Sequence, residues 1–214
     1  MNAGTFIRLA LVSTWLSIMQ LAAPAAVASD WERLPQWNSG DTPERGGPWA
    51  VTLYGGLVSD ERLTRLLFQP WDASVESDTP WLGGSISRRV AGLGKGLTFE
   101  LEAGTGYRFS NEDTGEVWGA LFARWDRFPW RDTLYTSIAA STGLNYASRV
   151  SEIEWSEHNS RLLHYFTPEI TFADPDDKSL EGVLRLHHRS GVYGTFNGVR
   201  SGSNIVTLGA RKRF

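Results

Sequence analysis

The chain has 214 residues, with 21 basic against 24 acidic side chains, a formal net charge of -3 and no cysteine. The missing thiols exclude disulfides, thiolate metal sites and a cysteine nucleophile together, and a single short basic run, Arg211-Lys212-Arg213, is no footprint for a nucleic-acid partner. Mean hydropathy is -0.27, and past the N-terminal region no apolar run is long enough to cross a bilayer as a helix; a barrel strand needs only about ten alternating residues, so periodicity is the quantity to read.

Residues 1–28 read as an export signal: Arg8 precedes an apolar stretch from Leu9 to Leu21, and Ala26-Val27-Ala28 supplies small residues for cleavage. The mature chain is then expected to start near Ser29 with a flexible arm, 29–48, rich in Pro, Gly and charge. From there the chain alternates. A first strand is predicted over 49–57, with Trp49, Val51, Leu53 and Leu57 on one face. In the long connection that follows, Asp60 is expected to cap a short helix that turns Leu63, Leu66, Leu67 and Trp71 to one side, packed on a barrel rim.

Gly and Ser blur the second predicted strand, 81–90, whereas the third, 97–109, is unambiguous. Leu97, Phe99, Leu101, Ala103, Tyr107 and Phe109 take one face; Glu100, Glu102, Gly104, Gly106 and Arg108 take the other. A charged face cannot meet lipid, and in a small barrel it fills the lumen. Gly92-Leu-Gly-Lys-Gly faintly resembles a phosphate loop, but no helix follows, so a turn is expected. After the fourth strand, 116–125, the aromatic cluster of Trp125, Phe128 and Trp130 around Pro129 suits a girdle at a membrane surface. The fifth strand is predicted over 133–144 and the sixth over 162–172, with a bulge at Pro168. A turn at Asp174-Pro175-Asp176-Asp177 leads to the seventh, 180–190, and the eighth, 204–214.

An even strand count, with long odd-to-even and short even-to-odd connections, predicts an all-β fold: an eight-stranded antiparallel transmembrane β-barrel of the bacterial outer membrane, over 49–214. Its surroundings would be outer-membrane lipids. The terminal Phe214 resembles the mark that such barrels present to their assembly machinery. A homodimer is compatible with the sequence. A soluble lipocalin-like barrel is the competing architecture, but it would turn apolar residues inward, against Glu100 and Glu102.

The seventh strand separates Val183, Arg185, His187 and Arg189 from Leu184, Leu186, His188 and Ser190. The first set belongs in the lumen, where His187 is expected to join Glu100, Glu102 and Glu169, and cations beside it oppose a metal site. The second set then faces outward, which puts an imidazole and a hydroxyl where apolar groups are usual. Two residues apart on a strand they share a side, as a general base and a serine nucleophile must.

The segment Leu186-His-His-Arg-Ser-Gly, with a Gly- and Asn-containing loop and a closing strand ending in Phe214, resembles the C-terminal region of the lipid A 3-O-deacylase (PagL) family. The resemblance implies an eight-stranded outer-membrane barrel that hydrolyses an ester-linked acyl chain of lipid A, the lipid of lipopolysaccharide, with His188 as base, Ser190 as nucleophile and no cofactor. Where the family carries Asn after the serine this chain has Gly191, and where it carries an acid it has Gly202. Asn204, on the outward parity with Val206 and Leu208, is then the candidate to orient His188. His164 is a further expected neighbour of His188, and amides near Gly191 are candidate oxyanion donors. The alternative is a non-catalytic barrel acting through its external loops.

Overall fold

The computed structural model of the chain describes residues 47–59, 61–69, 76–109, 113–150, 154 and 158–214. The expected export signal, the arm up to residue 46, Asp60 and Trp71 lie outside them. Nine strand segments follow one another: β1 (Trp49–Ser59), β2 (Glu76–Gly94), β3 (Leu97–Arg108), β4 (Thr114–Trp125), β5 (Tyr135–Ala147), β6 (Leu162–Phe166), β7 (Pro168–Ala173), β8 (Leu180–Ser190) and β9 (Gly202–Arg213). All pairings are antiparallel, β6 and β7 share the place between β5 and β8, and β9 returns to β1 from Ala50↔Arg213 to Ser59↔Asn204. The ring therefore has eight staves and no open edge, as predicted.

The expected bulge at Pro168 is absent. Gly143↔Tyr165 before the break and Ala140↔Pro168 after it keep one register on β5, and Phe166↔His188 and Glu169↔Arg185 keep one on β8. Proline has no N–H to donate, so the ladder lapses at Thr167 while the strand runs straight on. The irregularities sit along β2 instead, between Arg89 and Ala91, between Gly92 and Gly94, and where its start meets Leu57 and Val58 of β1. Beyond them Lys95 (φ 52) and Gly96 (φ 78) make the two-residue hairpin turn to β3, so the glycine-rich string is a turn.

In the first long connection, helix α1 (Leu63–Phe68) has Arg62 at its N-cap with no side-chain cap bond, and Leu66 is its buried residue. Leu67 and Phe68 are exposed, so the apolar side is narrower than the spacing predicts. At the opposite end of the barrel Phe128 lies 4.7 Å from Trp125 and 4.9 Å from Trp130, ring to ring, the aromatic cluster expected there.

The alternation resolves into an apolar outer wall and a charged, filled lumen. On β3, Leu101 is 53% exposed and Glu100 only 2%. Inside, Glu169 accepts from Arg124 at 2.6 Å, Arg185 at 2.5 Å and Arg211 at 2.8 Å. Glu102 takes the Arg185 fork with two bonds of 2.8 Å, and Glu181 holds Arg211 and Arg213. A buried charge is tolerable only when paired, and these cross-lumen pairs meet that condition.

A second layer is aromatic. His187 sits against Trp81 (5.0 Å), Trp118 (4.9 Å) and Tyr165 (4.8 Å). Its bonds go to Glu116 at 3.2 Å and to the Tyr165 hydroxyl at 3.0 Å. The expected partners Glu100, Glu102 and Glu169 are thus wrong for this histidine: they bind the arginines, and Glu116 serves His187. Glycines make room for the rings, since a Cβ on Gly83 or Gly106 would lie 2.2 Å or 2.3 Å from the Trp81 ring. Gly106→Ala is therefore expected to cost about 1–3 kcal/mol by overpacking, read as a lower temperature at which the compact band on a gel converts to the unfolded one.

Candidate active site

β8 carries the outward polar pair to the end of the barrel where the connections are long. Its inward residues Val183, Arg185, His187 and Arg189 are buried, while Leu184 is exposed on the outer wall. His188 and Ser190 share that outer parity. The register then decides their neighbours: His188 lies opposite Asn204 on β9 and Phe166 on β6, and Ser190 lies opposite Gly202 and His164. His164, expected close to His188, lies on the adjoining strand as its diagonal neighbour and is the direct cross-strand partner of Ser190. Its Nε2 is 3.0 Å from Thr142 Oγ1, and its ring stacks loosely on Phe196 at 5.6 Å.

Asn204 is brought to His188 as expected, with Oδ1 2.7 Å from the imidazole Nδ1. The other half of the amide settles which atoms these are. Asn204 Nδ2 lies 2.6 Å from the backbone carbonyl oxygen of Glu61, which can only accept, so Nδ2 must donate there and Oδ1 must face the imidazole. The imidazole consequently donates from Nδ1–H, and Nε2 is left with the basic lone pair. This is the tautomer that a base acting on a hydroxyl requires.

At both glycines a side chain would clash. A Cβ on Gly202 would come within 2.5 Å of the Arg189 carbonyl oxygen and 2.8 Å of Ser190 Cβ, so no acid fits at that place in the strand. A Cβ on Gly191 would sit 1.9 Å from the Val199 carbonyl oxygen. The Gly191 N–H, a candidate oxyanion donor, is already given to Ser201 O at 3.1 Å, which removes it from that role. Among the described residues no hydrogen bond joins Ser190 to His188; catalytic bonds of this kind often close only around substrate.

Two members of the cluster escape a reading by residue type. Glu61 contributes a backbone carbonyl, which no motif records. Thr142 interrupts the apolar outward series of Ile138, Ala140 and Leu144 on β5, and that break in the pattern was the available sign.

No protein-family model matches the chain. No curated protein matches it either. Among solved structures, the outer membrane enzyme PagL is similar with a TM-score of 0.54 at 13% identity, over 77% of this chain and 99% of that one. Neisserial surface protein A (NspA) is similar with a TM-score of 0.50 at 14% identity, over 80% of this chain and all of that one (100%). At such identities the likeness is one of fold: this chain is an all-β, eight-stranded antiparallel barrel of the outer-membrane type.

Proposed function

We propose that the protein sits in the outer membrane and removes an ester-linked acyl chain from lipid A, with Ser190 as nucleophile and His188 as general base. The observation that carries this reading is the His188–Asn204 bond of 2.7 Å on the outer wall, next to an outward serine on the same strand. A lipid substrate reaches that wall without entering the lumen. Ser190 Oγ attacks the acyl carbonyl as His188 Nε2 takes its proton, and the proton returns to the departing sugar oxygen. Water, activated by the same nitrogen, then cleaves the acyl-serine ester and releases the free acid.

One feature favours a second reading, a barrel that keeps the fold and meets lipid without cleaving it: among the described residues no carboxylate touches His188. An amide in the orienting place holds the tautomer but adds no charge to steady an imidazolium, so a slower enzyme is expected than one with an acid. Mass spectrometry of lipid A from Gram-negative cells with and without the protein separates the two. Loss of one acyl chain on expression is the expected result; an unchanged pattern with the barrel demonstrably in the outer membrane removes the hydrolase reading.

A further inference from the structure

The place of an acid is taken here by a residue with two partners. Asn204 accepts from the imidazole through Oδ1 and donates to Glu61 O through Nδ2, and a carboxylate could do only the first. Glu61 is itself held by the start of the connection. Its N–H donates to Ser59 Oγ at 3.2 Å, and its carboxylate takes Arg65 NH1 at 3.0 Å and 3.1 Å. Ser59 is fully buried at the end of β1, directly across from Asn204 in the sheet. The segment of residues 61–69 is thus tied by its first residue to the side chain that orients the candidate base.

We infer that Asn204 is a positioning residue which couples the segment 61–69 to His188: the docked carbonyl of Glu61 holds the amide in one orientation, and that orientation selects the Nδ1–H tautomer. The rate consequence rests on the hydrolase reading, whereas the coupling itself does not. An amide has a right and a wrong face, and nothing in an isolated Asn–His pair distinguishes them, because the neutral imidazole can either donate or accept at Nδ1. Glu61 O breaks that tie. With the wrong face turned in, Nε2 carries the proton and cannot take one from Ser190.

The chain has no cysteine, so a spin label on Thr64→Cys reports the segment alone. Three proteins are compared with the parent, each checked for folding by its heat-modifiable band: Asn204→Asp, a variant with 61–69 replaced by Gly and Ser residues, and the two combined. In the parent, nitrogen NMR of His188 is expected to show the Nδ1–H tautomer alone, with the label restrained. Asn204→Asp is expected to keep the tautomer, because both carboxylate oxygens accept, while the label becomes mobile. The replaced segment is expected to give both tautomers in comparable amounts, with kcat down roughly two- to tenfold.

Adding Asn204→Asp to the replaced segment is expected to restore the single tautomer and bring kcat to the parent value or above, a rescue that a merely structural role would not give. A restrained label in Asn204→Asp, or a single tautomer without the segment, overturns the coupling. Should the replaced segment prevent folding, Ser59→Ala, which removes the Ser59 Oγ acceptor of the Glu61 N–H, takes its place, with a more mobile label and a smaller share of the second tautomer expected. Failure of the hydrolase reading looks different: the tautomer and label results stand, while the parent releases no acyl chain.

Discussion

Replacing Ser190 by alanine is expected to abolish acyl-ester release from lipid A, with kcat down by roughly a thousandfold or more, as loss of a nucleophile does elsewhere. Folding should be untouched. Ser190 is the last residue of β8, half-buried at the outer rim, and among the described residues its hydroxyl serves no hydrogen bond that alanine would break. A surface change of this kind stays within about 0.5 kcal/mol, so the heat-modifiable band and its conversion temperature should match the parent. His188→Ala should remove activity to a similar extent while leaving Asn204 Oδ1 without its donor. The assay is release of the free hydroxy acid from purified lipid A in detergent, with the folded band as the control. If Ser190→Ala stays active, the nucleophile lies elsewhere, and Thr142, bonded to His164 on the same outer wall, is the next hydroxyl to substitute.

The barrel was legible because two-residue alternation depends on local pattern alone. Glu100 and Glu102 between Phe99, Leu101 and Ala103 could only face a filled lumen, and β8 runs over the residues that its pattern predicts. Where small residues dilute the pattern, the ends drift: β2 reaches from Glu76 to Gly94, well past the stretch that its Gly and Ser left readable. The partners of lumen groups were not legible at all. Glu116 reaches His187 across 71 positions of chain, and which carboxylate meets which cation follows from the ring's register rather than from any one strand. The site divides the same way. His188, Ser190 and the outward parity of Asn204 are local facts, but the bond from Asn204 to Glu61 spans 143 positions and uses a main-chain atom. Gly202 shows the limit most sharply, since its proximity to Ser190, which forbids a side chain, exists only once β8 and β9 are paired.

Glu169→Ala is expected to be the most destabilising single change in the barrel, at about 3–5 kcal/mol, the usual cost of removing one member of a buried ionic group. The carboxylate is fully enclosed and takes bonds from Arg124, Arg185 and Arg211, so three guanidinium groups on β4, β8 and β9 lose a shared counter-charge together. None can turn to solvent, as each is 2% exposed or less. Glu100, Glu102 and Glu181 remain, but they already hold Arg124 and Arg213, Arg185, and Arg211 and Arg213 respectively. The partly exposed pair of Arg65 and Glu61 supplies the control, because Arg65→Gln should shift stability by no more than about 1 kcal/mol. Urea titration of the folded band in detergent measures both. A Glu169→Ala barrel as stable as the Arg65→Gln protein would mean that water or lumen rearrangement satisfies the freed arginines, and that the charge network is not what holds the staves in register.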